Sequence, residues 1–443
     1  MSQFDTILRH ASVVTPDGLR TLDVGISGEL FADLAENLAG SAQVEIDATG
    51  KILFPGLVDA HVHFNEPGRS EWEGFATGST ALAAGGGTCF IDMPLNSSPP
   101  VLDLASFAAK RRAGEMHSRL DFALWGGLTP DSLPHLANLA RAGVAGFKAF
   151  LCPSGLDEFT AANEATLRKG MHVAAEFHLP VAVHAESPAV IAAHQKEFPL
   201  PHPGTMADWL ASRPVAAEIA AIEMAVSCAR DTGCALHIVH VSAPEGIDLI
   251  HAAKREGINV TAETCPHYLL LDRDAAQRIG PAAKCAPPLR CTGTLDRLWQ
   301  VLAAGDVDTI GSDHSPSPPE LKEGNDYFSM WGGIAGCQHG FPLLIERALR
   351  ESTWQQLAAL TSINPAKRFR LDSRKGGIVP GLHADFCLLA PEDFTIEAKD
   401  LLTRHPISPY IGMRCAWQVN ATWLRGHPVS PATHGRFLQP DDH

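Results

Sequence analysis

The segment DAHVHFNEPGRSEWEGF, residues 59–75, contains two histidines, His61 and His63, that are two positions apart. On a β-strand alternate side chains point to the same face, so both imidazoles and Asp59 would share a face and could bind one metal ion. The motif alone is weak, because a chain with 21 histidines among 443 residues should contain such a pair about once by chance. A pair of packed strand histidines is the alternative.

Four further side chains of suitable chemistry lie near the ends of other apolar, strand-like segments. These are Lys148 in GFKAFL, His184 in VAVHAE, His240 in LHIVHVS and Asp313 in GSDHSP. Their spacings fit successive βα units of about 28 residues, with one longer unit between His184 and His240. Because the carboxyl ends of barrel strands meet at one face, we predict that all of these side chains converge.

The residue types indicate which ion such a site would bind. Four imidazoles and a carboxylate without cysteine favour zinc or a similar first-row divalent ion, whereas magnesium and calcium prefer oxygen ligands. Lys148 is the exception, since an ordinary lysine is cationic at neutral pH and cannot bind a cation. Buried beside Phe147, Ala149 and Phe150, its amine could be neutral and add CO2, and the two carbamate oxygens could bridge two metals. A structural lysine paired with an acid is the alternative, which the nearby histidines disfavour.

The elements that would position these residues alternate along the middle of the chain. Apolar segments that turn polar at their carboxyl ends alternate with helix-like runs, which predicts βα units on a parallel sheet. The candidate strands are GLVDAHVHF, GTCFIDM, LDFALWGGL, GVAGFKAFL, LPVAVHAE, ALHIVHVS, INVTAETCPHY and DTIGSDHSP.

Both ends of the chain instead show short β-rich runs separated by glycine and proline turns. We therefore predict an α/β fold with a (β/α)8 TIM barrel over residues 55–375. A small β-sandwich domain would be formed by both chain termini, residues 1–54 and 376–443. Three domains in a row are the alternative.

Composition narrows the class of protein. The net charge of −15 argues against a nucleic-acid or anionic-membrane surface, which would need a basic patch. We find no apolar run of about 18 residues and no secretory signal at the N-terminus. Ten cysteines without a Cys-x-x-Cys pair are typical of reduced thiols. We therefore predict a cytoplasmic protein.

The six-residue pattern resembles the amidohydrolase superfamily, in the cyclic amidohydrolase branch that includes dihydroorotases, dihydropyrimidinases (hydantoinases) and allantoinases. The similarity covers essentially the whole chain, because GGIVPGLHADFCLL matches the returning β-domain segment of that family. Within the branch the chain is most similar to the allantoinases. The segments that carry this similarity are EPGRSEWEGF, MPLN, GFKAFLCPSGLDEF, SRPVAAEIAAI, CPHYL, and SDHSPSPPELKEGN followed by WGGIAG.

The resemblance implies two divalent ions, zinc in the first place, with manganese, cobalt or iron as alternatives, and N6-carboxylysine at position 148 between them. One ion would be held by two histidines and the aspartate, and the other by two histidines. It also implies a cyclic ureide as substrate and a homo-oligomer, by analogy a tetramer. The implied ligands are His61, His63 and Asp313 for one ion, His184 and His240 for the other, and Lys148 for both.

The reaction implied by the resemblance is hydrolysis of a ring amide, here (S)-allantoin to allantoate in ureide catabolism. Asp313 would take a proton from the metal-activated water and deliver it to the departing ring nitrogen. A hydantoinase or dihydropyrimidinase acting on a related ring is the alternative. A non-catalytic scaffold on the same fold is a reading from a different class, disfavoured because all six positions carry ligand-type residues.

Further polar and loop residues are candidates for substrate binding, each with a loop or wall role as the alternative. Asn65 stands where dihydroorotases have an arginine for the substrate carboxylate, which argues against that activity. Ala286 replaces a serine of relatives, so a hydroxyl contact would be lost and a main-chain contact kept. Cys285 is expected to be a wall residue and not a nucleophile. The substrate-binding candidates are Asn96, Ser154, Gly155, Cys285, Ala286 and Gly333.

Overall fold

The computed structural model describes residues 3–441, and its fold is α/β. One sheet combines strands from both ends of the chain, in the order β17-β16-β15-β5-β1-β2-β3, with β4 paired to β1. It is mostly antiparallel, but β4 and β5 run parallel to β1. Its strands are β1 Phe4–Thr15, β2 Gly18–Ser27, β3 Leu30–Ala35, β4 Ala42–Asp47, β5 Ile52–Pro55, and, after the middle of the chain, β15 Phe386–Thr395, β16 Arg414–Leu424 and β17 His427–Pro428.

The middle of the chain forms two parallel sheets, one in the order β6-β7-β8 and one in the order β14-β13-β12-β11-β10-β9. Each of the eight predicted segments contains at least one of these strands, and LDFALWGGL contains both β8 and β9, so this part of the prediction is confirmed. The strands are β6 Leu57–Val62, β7 Gly87–Asp92, β8 Asp121–Leu124, β9 Gly126–Gly127, β10 Phe147–Phe150, β11 Val181–His184, β12 Leu236–Ile238, β13 Val260–Thr264 and β14 Thr309–Ile310.

Helices fill the connections between the parallel strands and bury apolar faces against them. In α8, for example, Ile247, Ile250 and Ala253 are buried at helical spacing, while Lys254 and Arg255 lie in its last turn. The helices are α1 Phe75–Ala84, α2 Leu104–His117, α3 Leu136–Ala142, α4 Glu164–Glu176, α5 Pro188–Glu197, α6 Met206–Ser212, α7 Val215–Thr232, α8 Pro244–Arg255, α9 Pro266–Leu270, α10 Arg273–Ile279, α11 Thr292–Ala303, α12 Gly340–Glu351, α13 Trp354–Ala358 and α14 Asn364–Arg368. Within residues 3–441, no helix is long and apolar enough to cross a membrane.

A buried ionic cluster ties the end of the chain to strand β8. Lys375 Nζ lies 2.6 Å from Asp121 Oδ2 and also donates to Asp385, and Arg425 pairs with Asp121. The side chains of Lys375 and Asp121 have no exposed surface. Because water cannot reach these groups, removing one charge would leave its partner buried and uncompensated.

We expect Lys375→Met to lower the free energy of unfolding by about 3–5 kcal/mol, because two carboxylates lose their shared cation in a buried place. Urea unfolding followed by circular dichroism measures this change. Lys399, which pairs with Glu397 and is 73% exposed, is the control, and Lys399→Met should leave the free energy of unfolding nearly unchanged, because water can replace an exposed ion-pair partner. Equal effects at both positions would contradict the account.

Candidate active site

Two histidines of the opening segment meet the aspartate that follows β14. Asp313 Oδ1 lies 3.1 Å from His61 Nε2 and 3.4 Å from His63 Nε2. One ligand-type atom from each residue lies within 4.8 Å of the other two, an arrangement suited to a metal ion. Asp59, the first residue of the motif, does not join them, because its Oδ1 accepts bonds from the backbone N–H groups of His61 and Ser312.

The second pair of predicted ligands lies beside the first. His184 Nδ1 is 3.0 Å from His240 Nε2, and the ring of His240 is 5.4 Å from that of His61. Two imidazole nitrogens at this separation can share one ion, since zinc–nitrogen bonds are about 2.0–2.1 Å long. The ring of Phe150 stacks on His184 at 4.5 Å and 12° and fixes its plane.

Lys148 lies in β10 among these groups, and its side chain is fully buried. Among the described residues its Nζ has no hydrogen-bond partner, so the structure gives no support to a lysine paired with an acid. The Phe150 ring, whose centroid is 5.0 Å from Nζ, forms part of its surroundings. Burial lowers the pKa of Lys148 to about 8 although Asp313 and Glu263 oppose the shift, so a neutral amine is accessible near physiological pH.

The backbone is strained at two of the predicted ligands. His240 has φ of 41° and Asp313 has φ of 45°, both in the left-handed region that disfavours residues other than glycine. Such conformations cost on the order of 1–3 kcal/mol each and cluster at functional sites. The strain therefore points to a function that needs these two side chains to face inward.

The six predicted ligands fit a divalent metal centre. Their donors are imidazoles and a carboxylate, which suit first-row ions. Three buried polar atoms of these ligands have no hydrogen-bond partner among the described residues: Lys148 Nζ, His63 Nδ1 and His240 Nδ1. Burial lowers the pKa of His63 to about 4, so this imidazole is neutral and can act as a ligand.

Two buried glutamates that the sequence analysis missed support the ligands from behind. Glu263 Oε1 lies 2.7 Å from His61 Nδ1 and its Oε2 lies 3.3 Å from His237 Nε2. Glu186 Oε2 lies 2.8 Å from His184 Nε2. His237 therefore shares this carboxylate with His61. A signal for Glu186 existed in the sequence, because it shares strand alternation with His184 two residues earlier.

The imidazoles border a cavity of about 350 Å³, a size that suits a small-molecule ligand. All six substrate-binding candidates line it, whereas Asn65 does not line this cavity and donates to Pro316 O instead. The cavity wall also includes Trp209, Arg213, Lys284 and Phe328. The candidates that line the cavity are Asn96, Ser154, Gly155, Cys285, Ala286 and Gly333.

The local contacts of these candidates differ. The Ser154 hydroxyl bonds within its own loop, to Phe159 O at 2.7 Å, so its side chain holds the loop. Burial raises the pKa of the Cys285 thiol to about 12, which fits a wall residue and not a nucleophile. Gly333 has φ of 155°, and a Cβ there would lie 2.3 Å from Ser315 O, so only glycine fits.

Comparison with known proteins gives consistent results. A family model described as the amidohydrolase family matches residues 52–429. An allantoinase of Deinococcus radiodurans is 47% identical over 445 residues, which cover 98% of this chain and 99% of the relative. An allantoinase of Rubrobacter xylanophilus is 46% identical over 451 residues, covering 99% and 98% of the two chains.

Solved structures with the same fold include a hydantoinase and a dihydropyrimidinase. The L-hydantoinase (dihydropyrimidinase) from Arthrobacter aurescens has a TM-score of 0.93 and 33% identity, covering 99% of this chain and 98% of its own. The dihydropyrimidinase from Brevibacillus agri has a TM-score of 0.89 and 28% identity, covering 99% of both chains.

Proposed function

The chain belongs to the amidohydrolase family, which implies a divalent metal centre, and we propose that it hydrolyses the ring amide of (S)-allantoin to give allantoate. The observation that carries the proposal is the convergence of four imidazoles and Asp313 on one cavity, together with a buried Lys148 whose Nζ has no hydrogen-bond partner among the described residues. The choice of substrate rests on relatives that are allantoinases and are 46–47% identical over nearly the full chain.

We propose two ions, zinc in the first place. His61, His63 and Asp313 would hold one ion, His184 and His240 the other, and Lys148, as N6-carboxylysine, would bridge them. Bound divalent ions would polarise a carbonyl and lower the pKa of water from 15.7 to about 7. The neutral amine that burial allows at Lys148 is what carbamate formation with CO2 requires.

Asp313 would move the proton in this reaction. Burial would raise the pKa of its carboxyl, but His61 and His63 outweigh that effect and hold this pKa well below the usual value. Asp313 is therefore ionised and able to accept a proton at the face of the cavity. Returning that proton to the ring nitrogen is the step that lets a poor amide leaving group depart.

We further propose that the two parallel sheets close into the (β/α)8 barrel of residues 55–375. A parallel bridge between Val62 and His314 and a bond from Ala145 N to Leu124 O support closure at both junctions. The β-sandwich of residues 1–54 and 376–443, the homotetramer and the cytoplasmic location remain proposals. The eight-stranded sheet built from strands of both chain ends supports a domain formed by both termini.

A substrate panel tests the proposed activity. Protein supplied with zinc, manganese or cobalt in bicarbonate should hydrolyse allantoin with a higher kcat/KM than hydantoin, dihydrouracil or dihydroorotate. Treatment with a chelator should abolish turnover, and the added metal should restore it. A preference for hydantoin or dihydrouracil would favour the second candidate function, dihydropyrimidinase or hydantoinase, which the solved structures of the same fold support.

A further inference from the structure

We infer that Glu186 and Arg213 position His184. The affinity for the ion proposed at His184 and His240 would then depend on Arg213, a residue of the substrate cavity wall. The inference rests on the proposed two-metal centre. It concerns residues that touch neither ion, so both are positioning residues.

The geometry begins with a two-pronged ion pair. Arg213 Nε donates to Glu186 Oε1 at 2.8 Å, and Arg213 Nη2 donates to Glu186 Oε2 at 2.7 Å. Such paired bonds fix the plane of the carboxylate as well as its position. The Glu186 side chain is 1% exposed, so water cannot take over these bonds.

The carboxylate held in this way determines which nitrogen of His184 can bind a metal. Glu186 Oε2 lies 2.8 Å from His184 Nε2, and an ionised carboxylate only accepts hydrogen bonds. His184 therefore carries its proton on Nε2 and presents the lone pair of Nδ1. That Nδ1 is the atom that lies 3.0 Å from His240 Nε2, where both lone pairs could meet one ion.

The other ion has a different support. Glu263 contacts His61 Nδ1 and His237 Nε2, and it accepts from the backbone N–H of His240 at 3.3 Å. No arginine is among these contacts, and neither Glu263 nor His237 borders the cavity.

Arg213, by contrast, does border the cavity. Its side chain is 16% exposed, and its guanidinium lies 5.3 Å from the centre of the Trp209 ring, another residue of the same wall. The contacts that hold His184 therefore reach the substrate cavity, whereas Glu263, which contacts His61, does not border it. This difference predicts that substitutions of Arg213 lower the affinity for one ion and leave the affinity for the other unchanged.

Zinc titration of the full-length protein in competition with a chromophoric chelator tests the inference. In Glu186→Gln the neutral amide can also donate to His184 Nε2, which permits the unproductive tautomer. We expect one of the two zinc affinities to fall roughly 10–100-fold, the range for loss of a ligand-orienting partner, while the other is unchanged. Arg213→Met should act in the same direction, and Arg213→Lys, which keeps the charge without the fork, should act less.

Glu218→Gln is the matched control. Glu218 is also a buried carboxylate paired with an arginine, since Arg290 Nη2 lies 3.2 Å away, and it accepts from Ser242 N at 2.8 Å. It contacts none of the proposed ligands, so both zinc affinities should stay at the wild-type values. Arg213→Met, at a partly exposed position, keeps the test possible if Glu186→Gln fails to fold.

Two results would overturn the inference, and they can be told apart. Folded Glu186→Gln and Arg213→Met that bind two zinc ions as tightly as the wild type would overturn the positioning role alone. A wild type that binds a single ion would overturn the two-metal centre, and the inference with it.

Discussion

Asp313→Asn is expected to lower kcat for allantoin by about 10²–10⁴-fold, the range for loss of a general acid–base group, while the protein still binds metal. Asparagine keeps the shape of the side chain and an oxygen that can serve as a ligand, but it cannot accept and return a proton. Asp313 Oδ1 lies 3.1 Å from His61 Nε2 and 3.4 Å from His63 Nε2, so the carboxylate that would move the proton lies at the proposed metal site.

The measurement is steady-state turnover together with metal content on the same preparation. Asp306→Asn is the control, because Asp306 pairs with His251 at 2.7 Å and does not border the cavity. Turnover near the wild-type rate in Asp313→Asn would contradict the proton-transfer role. Loss of metal from that variant would show that the side chain acts as a ligand first.

Lys148→Ala is expected to lower turnover by about 10³-fold or more, because the metal centre stabilises the transition state by several kcal/mol and each 1.36 kcal/mol corresponds to about tenfold in rate. Metal content should fall with it, since the proposed carbamate oxygens are ligands of both ions. Acetate or propionate should restore part of the activity, because the truncation leaves room for a free carboxylate.

Lys110→Ala gives the contrasting control. Lys110 is also fully buried, but it pairs with Asp92 Oδ2 at 2.6 Å and donates to Met93 O at 2.8 Å. Its loss should lower the free energy of unfolding by about 3–5 kcal/mol and leave the metal content unchanged. Full metal content and turnover in Lys148→Ala would contradict the bridging role.

Strand alternation and βα spacing were sufficient to predict the strands. They also predicted that the six ligand-type residues would lie close together. The reason is physical: the carboxyl ends of parallel strands meet at one edge, so a polar residue there has few places to point.

The supporting carboxylates could not be predicted in the same way. His61 and Glu263 are 202 residues apart and meet only because the carboxylate reaches across from another strand. Which of the many glutamates does this depends on side-chain directions that periodicity does not give. Asn65 shows a similar limit, since its side chain donates to Pro316 O and does not border the cavity.

A crystal structure of the zinc-loaded protein grown in bicarbonate would show whether a modified Lys148 joins two metal ions. We expect two anomalous peaks at the base of the cavity, one beside His61, His63 and Asp313 and one beside His184 and His240, with extra density for CO2 on Lys148 Nζ between them. A single peak, or a bare ammonium group at Lys148, would contradict this expectation.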